Sequence, residues 1–504
     1  MQIEKITKTL ILPFCVVVAW IMLGVWLYSR YVGTNGGQIT AKGERGIITD
    51  RNGLLLVAND TTGQDSILGF VQRTYPHPAA AQLLGYTSMA TPADILYDEE
   101  CDRKDVFGRT GLEKTYDDVF RGNNGESGRN LKLTIDYNLQ KYGEELMAGK
   151  VGSIVAIEPS TGEVLCMVSS PGYNPQALVG TRSYTLRHQF QQDKYKPMLN
   201  RCVMGQYSPG CVFKAAQALV LLSEGVITPE TTFSCVRGFH DHELNIPCHG
   251  HSSPLSIVAA ISTSCNGYFC HGFLDMMGHS KNVSVNQAMT KWSDYMNSLG
   301  LGYQLGVDLP NERRGQIPVA DYYEKAYKGA WNGRTILGNA IGQGEVKATP
   351  LQLANLSAII ANGGSYFIPH VVKRLQSGDI DAKFKSMRST KVTKEACDVV
   401  AKGMRMSAIG GVCKALSRMP VEACGMSGAA SSSGNENAIF IGYAPVENPK
   451  IAVAVIVEGG GWGSKFAVPM GGLVMEQYLN CGLSEESKKR SKALQEKHIE
   501  YNMD

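Results

Sequence analysis

Strand-type sequence lies in two places far apart in this chain, and that separation limits what the chain can fold into. Val151-Gly152-Ser153-Ile154-Val155-Ala156-Ile157-Glu158-Pro159 and Gly162-Glu163-Val164-Leu165-Cys166-Met167-Val168-Ser169 are two apolar β runs joined by Ser160-Thr161, the pattern of an antiparallel hairpin. Strand patterns return at Ile439–Tyr443 and Ile451–Val457, and the middle is mostly helical in pattern, around Ala215–Leu222 and Leu351–Ile360. Strands from both ends can share a sheet only if the helical middle folds back between them. The fold class is therefore α+β, with a central antiparallel sheet and helices.

With 504 residues, the chain is too long for one compact core and divides into domains. Leu10–Tyr28 is an uncharged apolar run of about 19 residues, long enough to cross a hydrocarbon core as one helix. Lys5 and Lys8 precede it, which places the N-terminus in the cytoplasm. A cleaved signal peptide is the rival reading, but the run is long for a signal core and Leu27–Tyr31 offers no small-x-small cleavage site. The expected organisation is a cytoplasmic segment 1–9, a transmembrane anchor 10–28, a small irregular α+β module 33–147, a larger domain 148–480 and a charged tail 481–504. In the small module, Arg45–Gly53 leads β-branched residues into an Asp-Arg-Asn-Gly turn, a hairpin signal. Arg73-Thr74-Tyr75-Pro76 and Gly108-Arg109-Thr110-Gly111-Leu112-Glu113 follow, and Leu131–Asp136 alternates like a closing strand. The tail Glu485–Asp504 is charged and helix-prone, and a solvated or frayed end is the expectation. A net charge of +3 is small for this length, so no polyanionic partner is implied, and no phosphate-type glycine loop is present.

The cysteine count of 13 is odd and unusual for an exported domain. Cys235 and Cys248 flank a polar stretch with His240 and His242, followed by His249 and His251. Two thiols and two imidazoles can complete a zinc site, but the spacing matches none of the usual finger or ribbon patterns. A local disulfide or reduced thiols are the preferred readings, so no metal and no cofactor are assigned.

The chemistry concentrates in three short motifs. Tyr207-Ser208-Pro209-Gly210-Cys211-Val212-Phe213-Lys214 resembles the Y-x-P-G-S-x-F-K segment of penicillin-binding proteins, with cysteine in place of the acylated serine. Ser264-Cys265-Asn266 satisfies S-x-N, and Gly425-Met426-Ser427-Gly428 stands where that family writes G-K-[T/S]-G. Leu199-Asn200-Arg201, Gly342-Gln343-Gly344, Thr349-Pro350-Leu351-Gln352 and Gly442-Tyr443-Ala444-Pro445 match the same family's transpeptidase domain. Arg45–Gly53 and Gly108–Glu113 match its N-terminal pedestal. From the anchor to about Tyr478, the chain resembles a class B penicillin-binding protein, a bitopic peptidoglycan D,D-transpeptidase.

The resemblance implies a single-pass protein of the bacterial cell membrane whose main domains face outward. It implies Lys214 as general base, Ser264 as proton relay, Asn266 as substrate ligand, and an oxyanion site between the N–H groups of Cys211 and Ala429. Met426, Ser427, Gly428 and Ala429 would line the substrate. The implied partners are a peptidoglycan stem peptide or β-lactam, a polytopic glycan polymerase and other cell-wall assembly proteins. Two changes weigh against full activity. A thiolate beside an ammonium still attacks a reactive carbonyl, but Met426 supplies neither charge nor hydrogen bond where the family lysine stands. A catalytically impaired scaffold or regulator is the leading expectation. A thiol acyl transferase and a β-lactam-binding sensor stay open.

Overall fold

In the computed structural model, residues 20–23, 25, 44–60, 72–97, 101, 105–122, 127–179, 183–241, 244–278, 283–376, 378–432 and 435–501 are described. The sheet of the larger domain contains β1 (Gly152–Ile157), β2 (Val164–Ser170), β3 (Cys424–Ser432), β4 (Asn435–Ala444) and β5 (Ile451–Val457). Their order is β3-β4-β5-β1-β2, and every neighbouring pair is antiparallel. The last strand thus pairs with the first, with Ala452 opposite Ile157 and Val457 opposite Gly152. β5 is buried along its whole length, which is why it is apolar without alternation.

Eight helices position this sheet and the site: α1 (Tyr137–Leu146), α2 (Lys214–Ser223), α3 (Ile257–Thr263), α4 (Asn266–Gly278), α5 (Pro350–Ala361), α6 (Lys394–Ile409), α7 (Ala467–Leu479) and α8 (Glu485–Gln495). α5 packs against β5, β1 and β4 on one side, while α7 packs on β5 and β4 and α1 on β2. The start of α5 is fixed by sequence: Pro350 sits in its first turn, and Thr349 and Gln352 form a reciprocal capping box. α6 lies between α3 and β3, and Gly403 lets it approach α3, since a Cβ there would meet Ile261 at 2.7 Å.

The smaller module is organised by charge. Ile48–Thr49 and Leu55–Asp60 form the hairpin, whose turn is held by the Asp50 carboxylate accepting from Asn52 N and Leu54 N. Arg45 and Arg73, from two separate motifs, converge on Glu113 from a third, at 2.6 Å and 2.7 Å. Glu113 is completely buried. Burial opposes its ionisation, but Arg73 and Arg45 outweigh that and hold the carboxyl below the usual carboxylate range. The Leu131–Leu133 strand runs parallel to Ile48–Thr49 and antiparallel to Val372–Leu375, which comes from far along the chain. This mixed sheet joins the module to the larger domain. Arg51 adds a second link, reaching Glu158, Glu163 and the Tyr478 hydroxyl.

Two expectations are corrected. No helix among the described residues is long and apolar enough to cross a membrane, so neither the transmembrane helix at 10–28 nor the single-pass placement with a cytoplasmic N-terminus is supported. Of that run, only Trp20–Leu23 and Val25 are described; the rest lies outside the described residues. The tail is docked and not frayed up to residue 501. Ser487, Ser491 and Leu494 share the inner face of α8. The Ser487 hydroxyl donates to Glu476, Tyr142 donates to Ser491, and the Tyr501 hydroxyl accepts from Val151 N at 2.6 Å. Small polar residues buried by specific hydrogen bonds carry no apolar signal, so the charge pattern alone misled.

Candidate active site

Residue 211 is set by backbone geometry on both sides. Gly210 has φ +55°, its N–H donates to Gly342 O, and a Cβ there would lie 2.5 Å from Ala429 O. Only glycine fits such a left-handed, closely packed position. Gly210–Phe213 then form a single 3₁₀ turn that continues into α2. Cys211 is half-buried on this turn, and Lys214 begins the helix three residues later, completely buried.

Lys214 Nζ lies 3.5 Å from Cys211 Sγ, 3.1 Å from Ser264 Oγ and 2.6 Å from Ser264 O. All three ammonium protons therefore have a partner. Ser264 itself ends α3 in the left-handed region, at φ +57°. A non-glycine residue there is uncommon and strained. The conformation aims both its carbonyl and its hydroxyl at Lys214. Asn266 opens α4; its Nδ2 donates to Pro247 O and its N to Cys248 Sγ, while its Oδ1 is buried without a protein partner.

The fourth wall is β3. A Cβ on Gly428 would stand 2.9 Å from Cys211 N and 3.0 Å from Val212 N, so this strand lies directly on the Gly210–Phe213 turn. Ala429, half-buried, passes beside Gly210. Met426 is completely buried, within the core that also holds Phe213 and Val212. Strand alternation sends Ser427 to the opposite face. There its hydroxyl meets the Cys413 thiol, whose ionisation burial pushes up to about 12. Cys211, Lys214, Ser264 and the backbone of Gly428 and Ala429 thus come together. The Ser427 side chain does not join them.

Comparison with known proteins follows this geometry. Residues 152–476 match the penicillin binding protein transpeptidase domain, and residues 66–134 match the penicillin-binding protein dimerisation domain. This chain belongs to the penicillin-binding protein transpeptidase family. It is 28% identical over 471 residues to the peptidoglycan D,D-transpeptidase MrdA of Haemophilus influenzae, covering 81% of this chain and 69% of that protein. The crystal structure of Pseudomonas aeruginosa PBP2 in complex with WCK 5153 superposes with TM-score 0.76 at 29% identity, covering 88% of this chain and 99% of that one. PBP2 of Helicobacter pylori, solved in a complex with MreC, shares the fold, with TM-score 0.75, 24% identity and coverage of 87% and 98%.

This family member carries a feature beside its S-x-N motif that the sequence reading only half identified. Cys235, Cys248, His251 and Cys265 place their donor atoms within 4.8 Å of one another. His240 instead lies near Val236 O, His249 meets the Trp462 ring at a tilt, and His242 is outside the described residues. Three thiols and one imidazole are the soft, four-donor set of a structural zinc site. His251 Nδ1 faces Ser252 O at 2.8 Å, which leaves Nε2, 3.2 Å from Cys248 Sγ, as the ligating nitrogen. The Cys265 thiol hydrogen-bonds to Cys248 and holds it well below its ordinary range against burial, helped by Asn266 N–H and His251; that hydrogen bond and burial push Cys265 up. The four donors fit zinc better than a disulfide, which would leave two of them unused. Cys265 is the middle residue of Ser264-Cys265-Asn266, so a bound ion would fix that motif. The close Cys248-x-x-His251 spacing was the available signal. No motif announced the contact of Lys347, whose Nζ donates to Ser208 Oγ at 2.6 Å, three residues before Cys211.

Proposed function

We propose that this penicillin-binding protein homologue acts in peptidoglycan synthesis chiefly as a scaffold or regulator, with impaired acyl transfer. Met426 carries this reading: a fully buried thioether occupies the strand on Cys211 where the family places a cation. Loss of one charged hydrogen bond costs about 1.5–3 kcal/mol, roughly ten- to a hundred-fold or more in rate. Exchange of the serine nucleophile for Cys211 adds to that loss. Other cell-wall assembly proteins, a glycan polymerase among them, are the partners to test, and the complex of the Helicobacter pylori relative with MreC supports that class. A stem peptide or β-lactam would be the occupant of the cleft.

A second reading rests on the Cys211–Lys214 contact. In it the Cys211 thiolate attacks an acyl carbonyl, the C–N bond breaks, and the leaving amine takes a proton through Ser264 from Lys214. Intact-mass measurement after incubation with a β-lactam separates the two. The wild-type chain should form no stable adduct, and Cys211→Ser with Met426→Lys should acquire one, with Cys211→Ser alone as the control for folding. Stoichiometric labelling of the unmodified chain, lost in Cys211→Ala, would sink the scaffold reading in favour of a reactive Cys211, in a thiol enzyme if the adduct turns over and in a β-lactam-binding sensor if it persists.

A further inference from the structure

The contacts around Cys211 form a closed circuit whose last link is a pair of aromatic rings. Gly428 rests on Cys211, which meets Lys214, which meets Ser264; two residues on, Asn266 binds Pro247 and Cys248. From the other side, Gly463 packs on Gly428 O at 2.8 Å and on the Ser427 Cβ at 3.1 Å, measured to an added Cβ. The residues next to these anchors, His249 and Trp462, reach each other with ring centroids 4.8 Å apart at 51°. The two sides of the site thus touch through these rings. Trp462 is 57% exposed and His249 is exposed, so core packing does not hold either ring in place. Glycines flank both: Gly250 on one loop, and Gly459, Gly460, Gly461 and Gly463 on the other, with φ +63° at Gly459 and +69° at Gly461. The Trp462 loop is tied at its base, where Gly461 N donates to Glu436 O and Val468 N to Gly463 O. Anchored bases, glycine-rich tips and one ring contact between them make a strap that opens by separating two side chains.

We propose that His249 and Trp462 form a clasp across the mouth of the cleft, limiting the cross-section of acyl donors that reach Cys211. A slender peptide end or an unsubstituted lactam passes beside the rings, whereas a bulky acyl substituent requires them to part. The inference sets Cys211 beneath the two rings and does not depend on turnover. Alkylation of the full chain tests it, with peptide mapping to read modification at Cys211 alone. Trp462→Ala and His249→Ala should each speed labelling by a bulky fluorescein maleimide about two- to ten-fold, the population shift expected from losing one ring pair. Labelling by iodoacetamide should change less than about two-fold in the same variants, because a small reagent already passes. Trp462→Phe should stay near wild type, and the double alanine variant should equal either single one, since both remove one contact. Unchanged maleimide rates, or equal acceleration of both reagents, would overturn the clasp. Neither result bears on whether a β-lactam acylates the chain, so the scaffold reading stands or falls separately.

Discussion

Residue 428 shows how tightly the site depends on single atoms. Gly428 has no positive φ to justify glycine; the reason is the 2.9 Å from its would-be Cβ to Cys211 N. Gly428→Ala should push β3 off the Gly210–Phe213 turn, costing about 1–3 kcal/mol of stability as overpacking does. Denaturant unfolding checks this, and an unchanged midpoint would mean that the strand is not seated on the turn. The Cys211-x-x-Lys214 spacing was legible in the sequence because residues three apart on a helical turn share a face, and Ser264-x-Asn266 was legible only through its match to the family motif. The left-handed Ser264 and the placement of Ser427 on the other face of β3 were not. The first depends on Lys214 drawing in two oxygens of one residue, and the second on the strand's register against β4.

At the scale of elements, the small module sets a buried charge cluster against an apolar core that includes Ile48, Leu56, Leu112 and Phe120. Glu113→Ala would leave Arg45 and Arg73 buried without their shared carboxylate, which should cost about 3–5 kcal/mol. Glu113→Gln should cost less, because it still accepts one hydrogen bond. The same cluster sets a pH dependence with a definite sign. The folded Glu113 carboxyl is held below the unfolded value of about 4.3, so its contribution is complete above that pH and is lost as pH falls through the lower folded value. Unfolding midpoints measured from pH 6 downward should decline below about pH 4 in wild type and decline less in Glu113→Gln. Equal slopes would remove Glu113 from the explanation. The three motifs were visible as separate short segments, but that they meet at one carboxylate depends on the hairpin and the strand Leu131–Leu133 bringing them together.

For the whole molecule, the cluster beside Ser264-Cys265-Asn266 is the feature with the widest consequence. Native mass spectrometry should find one zinc ion per chain, and chelation should lower the unfolding midpoint, because an ion bound only by the folded state stabilises it. Cys248→Ser should lose the ion and become insensitive to the chelator. Absence of zinc together with a Cys235–Cys248 disulfide would restore the reading preferred from sequence. By itself the sequence determined the α+β class, the pairing of strands from both ends of the larger domain, and the motifs around Cys211, Lys214, Ser264 and Met426. Those are local signals, set by apolar period, turn residues and helical spacing. Only the tertiary structure decided which cysteines share a site, where Ser427 points, that the charged tail docks, and that His249 meets Trp462. Each depends on residues distant in sequence whose side chains are polar or small, and such contacts leave no periodic trace in a single chain.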